Sequence, residues 1–273
     1  MLYFGNYFFH VLTCVTLLKQ GLALPNPVNS RSTCRLPPRE DGDGFSNGLW
    51  LRIMPLGASI TYGLKSSDGN GYRDYLRDMI VDNGNDVNMV GSRRNGTMED
   101  NDVEGWPGFI IDQVHTKAKA AVPKYKPNVV LINLGTNDCT GNISIPKAGE
   151  RMTSLLNDVY KGSPNATVIL STLLVRSDER AQACVLDVNE QYKMVATVQR
   201  KKGARLVLVD MQPPAGPTTA ELVDGTHPTD EGYAKMATIW FDGIAEADKA
   251  GFLQPKVAIP GNANGVPDRG VYG

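Results

Sequence analysis

Two polar segments, far apart in the chain, carry residue types that could together perform nucleophilic catalysis. Ser59 follows an apolar run that breaks at Gly57, and the later loop Asp224-Gly-Thr-His-Pro228 holds a carboxylate three residues before a histidine. A histidine can take the proton of a serine, provided that a carboxylate fixes its tautomer from the other ring nitrogen. We therefore interpret Ser59 as a candidate nucleophile, His227 as its base and Asp224 as the residue that orients the base. Taken alone, a serine after a strand is more typical of a helix cap than of a nucleophile.

Two further segments could stabilise the oxyanion that such an attack creates. Gly91 ends an apolar run, and its lack of a Cβ would let a backbone N–H approach a ligand closely. Asn137 lies in Gly135-Thr-Asn-Asp138, directly after the most hydrophobic run of the chain. An asparagine amide can donate to a developing oxyanion. The alternatives are an ordinary turn glycine and an Asx-turn.

Short apolar runs alternate with helical patterns along the chain, and this alternation predicts an α/β fold. The runs are rich in β-branched residues and apolar at consecutive positions, as expected for strands that are buried on both faces. The predicted strands are 51–56, 87–90, 129–134, 167–174 and 204–209, and the predicted helices are 72–83, 109–122, 145–161, roughly 187–202, and 230–250. Repeated β-α units favour a parallel sheet with helices on both faces, a three-layer α/β/α sandwich. The four polar segments then meet at the carboxyl edge of the sheet or beside it.

Composition excludes several other classes of function. The 273 residues, 41% of them hydrophobic, fit a single domain, which we place at 50–253. A formal net charge of −1 does not favour nucleic acid as a partner. No zinc-type ligand spacing and no phosphate-binding glycine motif is present in the sequence. We expect no metal and no cofactor.

Both ends of the chain differ from the predicted domain in composition. Residues 1–23 are largely apolar and end in Gly21-Leu-Ala23, which is typical of a cleaved signal peptide, although no basic residue precedes the apolar part. The rival interpretation is a membrane anchor, but the apolar run falls short of the ~20 residues that span a bilayer. We expect a secreted, extracellular protein, an exposed lead-in over 24–49 and a flexible tail over 254–273.

The four segments also resemble, in order and in strand context, the four sequence blocks of the SGNH (GDSL) hydrolases. The similarity runs from about Leu51 to Leu253 and is strongest to the fungal acetylxylan esterases of carbohydrate esterase family 3. The phrases that carry this closer similarity are Met54-Pro-Leu-Gly, Gly71-Tyr-Arg-Asp-Tyr-Leu, Val90-Gly-Ser and Glu104-Gly-Trp-Pro-Gly108.

The resemblance implies a flavodoxin-like sheet of five parallel strands and a serine esterase that works through an acyl-enzyme. It assigns Ser59, Asp224 and His227 to catalysis, and the oxyanion hole to the N–H groups of Ser59 and Gly91 with the Asn137 side chain. It also implies a substrate class, namely acetyl or other short acyl esters on plant-cell-wall polysaccharide such as acetylxylan.

Two residues near the candidate site need separate interpretation. Ala58 departs from the family pattern, which usually has an aspartate directly before the serine. Because no role in proton transfer belongs to that position, we expect a competent but differently tuned nucleophile loop. Trp106 either lines the substrate site or anchors its own loop.

An exported chain would use its cysteines and its sequons. Cys14 leaves with the signal peptide, so Cys34, Cys139 and Cys184 remain, an odd number. Adjacent strands would bring the loops of Cys139 and Cys184 close enough for a disulfide, which we predict, with Cys34 left free. The sequons at Asn95, Asn142 and Asn165 predict surface glycans.

Two rival functions share this sequence pattern. A lysophospholipase or other lipolytic enzyme on the same fold would use every one of the catalytic residues. A carbohydrate-binding protein that has lost catalysis is the alternative that is not an enzyme, and the presence of all five candidate residues argues against it. We expect a monomer that acts on an acylated carbohydrate or another small ester.

Overall fold

The computed structural model describes residues 44–259. The predicted signal peptide, most of the predicted lead-in, Cys34 and the last 14 residues lie outside the described residues.

The described residues form one sheet whose strands are mostly parallel. The strands are β1 (Leu51–Gly57), β2 (Val87–Met89), β3 (Arg93–Arg94), β4 (Asp102–Gly105), β5 (Val129–Asn133), β6 (Thr167–Ser171) and β7 (Leu206–Val209). Five of them lie in the order β2-β1-β5-β6-β7 with every pair parallel. This order confirms the predicted flavodoxin-like sheet.

The two remaining strands were not predicted, because they are short and polar. β4 pairs in parallel with the carboxyl half of β1 (Leu56 with Glu104, Gly57 with Gly105), and β3 pairs antiparallel with β4. β2 pairs instead with the amino half of β1, over Leu51–Ile53. The end of β1, just before Ser59, is therefore held between β4 and β5.

Between residues 44 and 259, seven α-helices connect or follow these strands. They are α1 (Ser59–Tyr62), α2 (Tyr72–Asn83), α3 (Ile111–Tyr125), α4 (Thr136–Gly141), α5 (Ala148–Gly162), α6 (Glu179–Lys201) and α7 (Asp230–Lys249), with short 3₁₀ turns at Ile145–Lys147 and Thr219–Glu221. α6 begins at Glu179, about eight residues earlier than we predicted. The carboxylate of Asp178 caps it by accepting from the Ala181 N–H at 2.8 Å, and this cap sets the earlier start.

The core is divided between the two faces of the sheet, as the predicted sandwich requires. Met54 and Leu56 of β1 pack in one hydrophobic cluster with α3, α5 and α6. Leu51 and Ile53, which alternate with them, pack in a second cluster with α2 and α7. Alternate strand residues thus bury against opposite helical layers. On α2, Tyr72 and Leu76 are buried against the sheet side of the domain, whereas Tyr75 is exposed.

The ends of the described range are packed more closely than we expected. Phe45, in the predicted lead-in, is buried against Phe241 with ring centroids 5.1 Å apart. In the predicted tail, the carbonyl of Gln254 accepts from Asn128 Nδ2 at 2.9 Å and that of Val257 accepts from Arg52 at 3.1 Å. The domain therefore extends to both ends of the described range. No helix between residues 44 and 259 is long and apolar enough to cross a membrane.

Candidate active site

Ser59 lies where β1 ends and the four-residue helix α1 begins. The turn before it requires glycine, because a Cβ on Gly57 would lie 2.2 Å from Thr61 Oγ1 and 2.3 Å from the Asn133 carbonyl oxygen. The helix ends at Gly63, whose φ of +88° is unfavourable for other residues. The chain therefore turns sharply on both sides of Ser59, which is buried except for a small exposed fraction of 7%.

The structure places His227 and Asp224 against this serine. His227 Nε2 lies 2.8 Å from Ser59 Oγ, and His227 Nδ1 lies 2.9 Å from Asp224 Oδ2. With the proton on Nδ1 and donated to Asp224, Nε2 is free to accept the hydroxyl proton of Ser59. These three residues, which the sequence singled out separately, form one continuous hydrogen-bonded chain.

The loop that carries Asp224 and His227 is tightly folded. The Val223 N–H donates to the His227 carbonyl at 2.8 Å, and Gly225 has a φ of +77°. Asp224 Oδ1 also accepts from the backbone N–H of His227 at 2.9 Å and of Thr226 at 3.2 Å. Burial acts to raise the pKa of Asp224, but the hydrogen bonds from the His227 backbone and ring outweigh it and hold that pKa below its ordinary value. The carboxylate therefore stays ionised beside the histidine.

Arg176 connects this loop to α4. The sequence did not reveal this residue as part of the site. Its Nε donates to the Gly225 carbonyl at 3.2 Å, and its Nη1 donates to Thr140 Oγ1 on α4 at 3.1 Å. Burial lowers the pKa of Arg176, while nearby Asp178 and Asp224 act to raise it. Nothing in the local sequence of Arg176 signals a contact with Gly225, which is 49 residues away.

The three candidate oxyanion donors lie on three segments of the carboxyl edge. Ser59 is the first residue of α1, so its N–H has no partner within the helix. Gly91 follows β2, and Val90 before it is fixed by a 2.8 Å bond from its N–H to the Ile53 carbonyl. Asn137, in the first turn of α4, donates one amide proton to the Phe109 carbonyl at 2.8 Å. That bond orients the side chain and leaves its second N–H for another acceptor.

Asp138 anchors the segment that carries Asn137. Its carboxylate is completely buried, accepts from the Ile111 N–H at 3.2 Å and lies 2.6 Å from Arg151 Nη1. Burial raises the pKa of Asp138, against the opposing effect of the Arg151 guanidinium. In the sequence, only its position next to Asn137 indicated that Asp138 could anchor this segment.

A disulfide joins α4 to α6. Cys139 and Cys184 are bonded, with their Cα atoms 5.5 Å apart, and this is the pair that we predicted. Cys184 lies on α6 itself, because that helix begins earlier than we expected. The bridge therefore ties the asparagine segment to the longest helix of the domain.

Trp106 lies at the edge of the site, in contact with several partners. Its backbone N–H donates to the Gly57 carbonyl at 3.0 Å, and its ring stacks on Phe109 with centroids 5.4 Å apart. The Arg93 guanidinium lies 4.8 Å from the indole centroid and Lys117 Nζ lies 4.3 Å from it. The ring is partly buried, and these several partners favour the anchoring interpretation over the substrate-lining one.

A small cavity lies next to Ala58. It measures about 10 Å³ and is lined by the backbone and side chains around Ala58, Ser59, Asn133 and Gly135. This space is about the minimum for one water molecule.

Residues 56–235 match the sequence profile of the GDSL-like lipase/acylhydrolase family, and this match covers the Ser59, Gly91, Asn137 and His227 segments together. The chain belongs to this family. This membership agrees with the resemblance to the SGNH hydrolases in its sequence.

Individual relatives are similar to the chain at low sequence identity. It is 27% identical to a multidomain esterase of Ruminococcus flavefaciens over 96% of its own length, but it spans only 37% of that longer protein. Among solved structures, the family 3 carbohydrate esterase of Clostridium thermocellum superposes with a TM-score of 0.65 at 22% identity, covering 73% of this chain and 98% of that one. The family 3 carbohydrate esterase of Talaromyces cellulolyticus gives 0.64 at 24% identity, with coverages of 73% and 99%. These structural similarities establish the fold.

Proposed function

We propose that this protein hydrolyses acetyl or other short acyl esters through a covalent acyl-enzyme on Ser59. The observation that carries the proposal is the continuous contact from Asp224 through His227 to Ser59, at 2.9 and 2.8 Å. A serine hydroxyl is a weak nucleophile until an adjacent base takes its proton, and His227 is such a base.

The proposed reaction runs in two halves. Ser59 Oγ attacks the ester carbonyl while its proton passes to His227 Nε2, and the resulting oxyanion is bound by the N–H groups of Ser59, Gly91 and Asn137. When the tetrahedral intermediate collapses, the alcohol leaves with the proton of His227 and the acyl group stays on Ser59. A water molecule then attacks the acyl-enzyme and gives a proton to His227. That proton returns to Ser59 as the carboxylic acid departs.

We propose acylated plant-cell-wall polysaccharide, such as acetylxylan, as the substrate, and an extracellular location for the enzyme. The names of the two family 3 carbohydrate esterases support the substrate class, and so does the resemblance of the Glu104-Gly-Trp-Pro segment to that branch. A signal-like amino end and the Cys139–Cys184 disulfide support secretion, because disulfides persist in oxidising compartments.

The decisive experiment is acetate release from acetylated xylan by the wild type and by Ser59→Ala. We expect release by the wild type alone, and labelling of Ser59 by a fluorophosphonate probe in the folded protein. Release by both proteins, or by neither, would contradict the proposal. A preference for long acyl chains among nitrophenyl esters would favour a lipolytic enzyme instead.

A further inference from the structure

Glu104 is a completely buried carboxylate that contacts two segments of the site. Its Oε2 accepts from the Ser92 backbone N–H at 2.7 Å, and its Oε1 accepts from the Ser92 hydroxyl at 3.1 Å and from Trp106 Nε1 at 2.8 Å. A backbone amide and an indole can only donate, so this position requires a group that only accepts. A carboxylate meets that requirement and an amide does not.

The Glu104 carboxylate has no ionic partner in the part of the chain that the structure describes. No Lys, Arg or His nitrogen there lies within 4.0 Å of it. The nearby Arg93 uses its Nη1 to donate to the Gly105 carbonyl at 3.0 Å. Burying a carboxylate without a cation is costly unless several hydrogen bonds compensate. The hydrogen bonds from Ser92 and Trp106 therefore hold the Glu104 side chain in place. The same bonds fix the positions of Ser92 and the Trp106 indole.

Ser92 directly follows Gly91, a proposed oxyanion donor. Glycine has wide conformational freedom, so its N–H needs an external restraint to keep one direction. Gly91 cannot be restrained by a side chain of its own, because a Cβ there would lie 2.1 Å from the Val103 carbonyl carbon. The Val90 N–H is fixed to the Ile53 carbonyl on one side, and on the other side the Ser92 N–H is fixed to Glu104.

We infer that Glu104 is a positioning residue, which fixes the direction of the Gly91 N–H and couples it to the Trp106 loop. The same loop binds the nucleophile turn through the bond from the Trp106 N–H to the Gly57 carbonyl. Glu104 thereby links the oxyanion donor to the segment that presents Ser59. The inference rests on the proposed function.

The test compares Glu104→Gln with the matched control Asp102→Asn, using 4-nitrophenyl acetate. Asp102 is a carboxylate on the same strand, paired at the surface with Arg94 at 2.9 Å. In Glu104→Gln an amide N–H must face one of the donors, which displaces Ser92 or Trp106. We expect kcat to fall about 10- to 100-fold with KM changed less than about threefold, since misplaced groups mainly weaken transition-state binding. Asp102→Asn should retain the wild-type values.

A double variant, Glu104→Gln with Trp106→Phe, separates positioning from simple loss of stability. Removing the indole N–H lets the glutamine oxygen face the Ser92 N–H while its nitrogen donates to the Ser92 hydroxyl. We expect kcat to recover at least about fivefold over Glu104→Gln, an interaction that a double-mutant cycle measures.

Two results would overturn the inference. A Glu104→Gln enzyme with kcat within about threefold of the wild type would show that the contact does not act in catalysis. Failure of both the single and the double variant to fold would assign Glu104 to the stability of the sheet. The proposed function is judged separately, by whether the wild type hydrolyses the same ester and Ser59→Ala does not.

Discussion

His227 Nε2 lies 2.8 Å from Ser59 Oγ although 168 residues separate the two in the chain. The contact exists because β1 ends beside β4 and β5 at the carboxyl edge of the sheet, where the loop before α7 also arrives. The catalytic predictions below depend on this contact and on the groups that support it.

Replacing the orienting carboxylate should nearly abolish catalysis while leaving the fold intact. In Asp224→Asn an amide replaces the acceptor of His227 Nδ1, so the imidazole loses its fixed tautomer. We expect kcat on 4-nitrophenyl acetate to fall roughly 10³- to 10⁴-fold. The matched control is Asp242→Asn, an exposed aspartate on α7. A loss below about tenfold would show that Asp224 does not orient the base.

Restoring the family's usual aspartate at position 58 should damage the protein. Ala58 is buried, and the cavity that it helps to line measures about 10 Å³, which leaves little room for a carboxylate group. Ala58→Asp should lower the free energy of unfolding by about 1–3 kcal/mol through overpacking, and should not raise kcat. Ala58→Ser adds a single oxygen atom and serves as the control, with a much smaller expected loss. Chemical denaturation and ester hydrolysis measure the two effects. An Ala58→Asp enzyme that is faster than the wild type would show that the missing carboxylate limits activity.

Asp100 should make the protein less stable as the pH rises from about 4 to 7. Burial raises the pKa of Asp100 to about 7, against the lowering effects of the Met89 N–H and of Arg77. Between these two pKa values, the folded state keeps a proton on Asp100 that the unfolded state has already lost. The stability that Asp100 contributes is therefore fully present below its unfolded pKa and disappears as the pH rises through its folded pKa. The loss is at most about 1.4 kcal/mol per pH unit.

Asp100→Asn is the variant that isolates this effect, since an amide does not titrate. We expect the difference in unfolding free energy between wild type and Asp100→Asn to change by roughly 1 kcal/mol or more between pH 4.5 and pH 7. Urea denaturation at several pH values measures it. A difference that stays constant with pH would contradict the raised pKa of Asp100.

The three sequons should differ in their tolerance of a glycan. Asn95 Nδ2 donates to the Tyr62 and Gly69 carbonyls, both at 2.8 Å, whereas Asn142 is exposed. Asn165 Nδ2 donates to the Pro255 carbonyl at 3.0 Å. A glycan replaces one hydrogen of the amide nitrogen, so it would remove one of the Asn95 bonds and is compatible with Asn142.

Expression in a glycosylating host followed by peptide mapping tests this expectation. We expect a glycan on Asn142 and none on Asn95 in folded, secreted protein. Asn142→Gln should secrete normally without its glycan. Asn95→Ala should lower stability by about 1–3 kcal/mol, because the Tyr62 and Gly69 carbonyls each lose one of their two donors and keep only Arg73. Full occupancy at Asn95 would contradict the structural role of its amide.

Much of the fold is predictable from sequence because its signals are local. The strands β1 and β5 are largely apolar runs, and the bounds of α2 coincide with the predicted 72–83. The strands β3 and β4 were not predicted, because they are polar and only two and four residues long. Such short polar segments form strands only beside the edge of an existing sheet. The start of α6 was placed too late because its cap at Asp178 was overlooked.

The amino-acid sequence by itself determined which residue types could react and in which order their segments follow β-strands. Ser59, Gly91, Asn137, Asp224 and His227 were all named from local pattern and family resemblance. Only the tertiary structure decided which atoms meet: the 2.8 Å contact of His227 with Ser59, and the acceptance of Ser92 and Trp106 protons by Glu104. The physical reason is that propensity and periodicity act within a few residues. Hydrogen bonds between loops depend instead on how the parallel strands are ordered in the sheet, and on burial, which requires each polar group to find a partner within the protein.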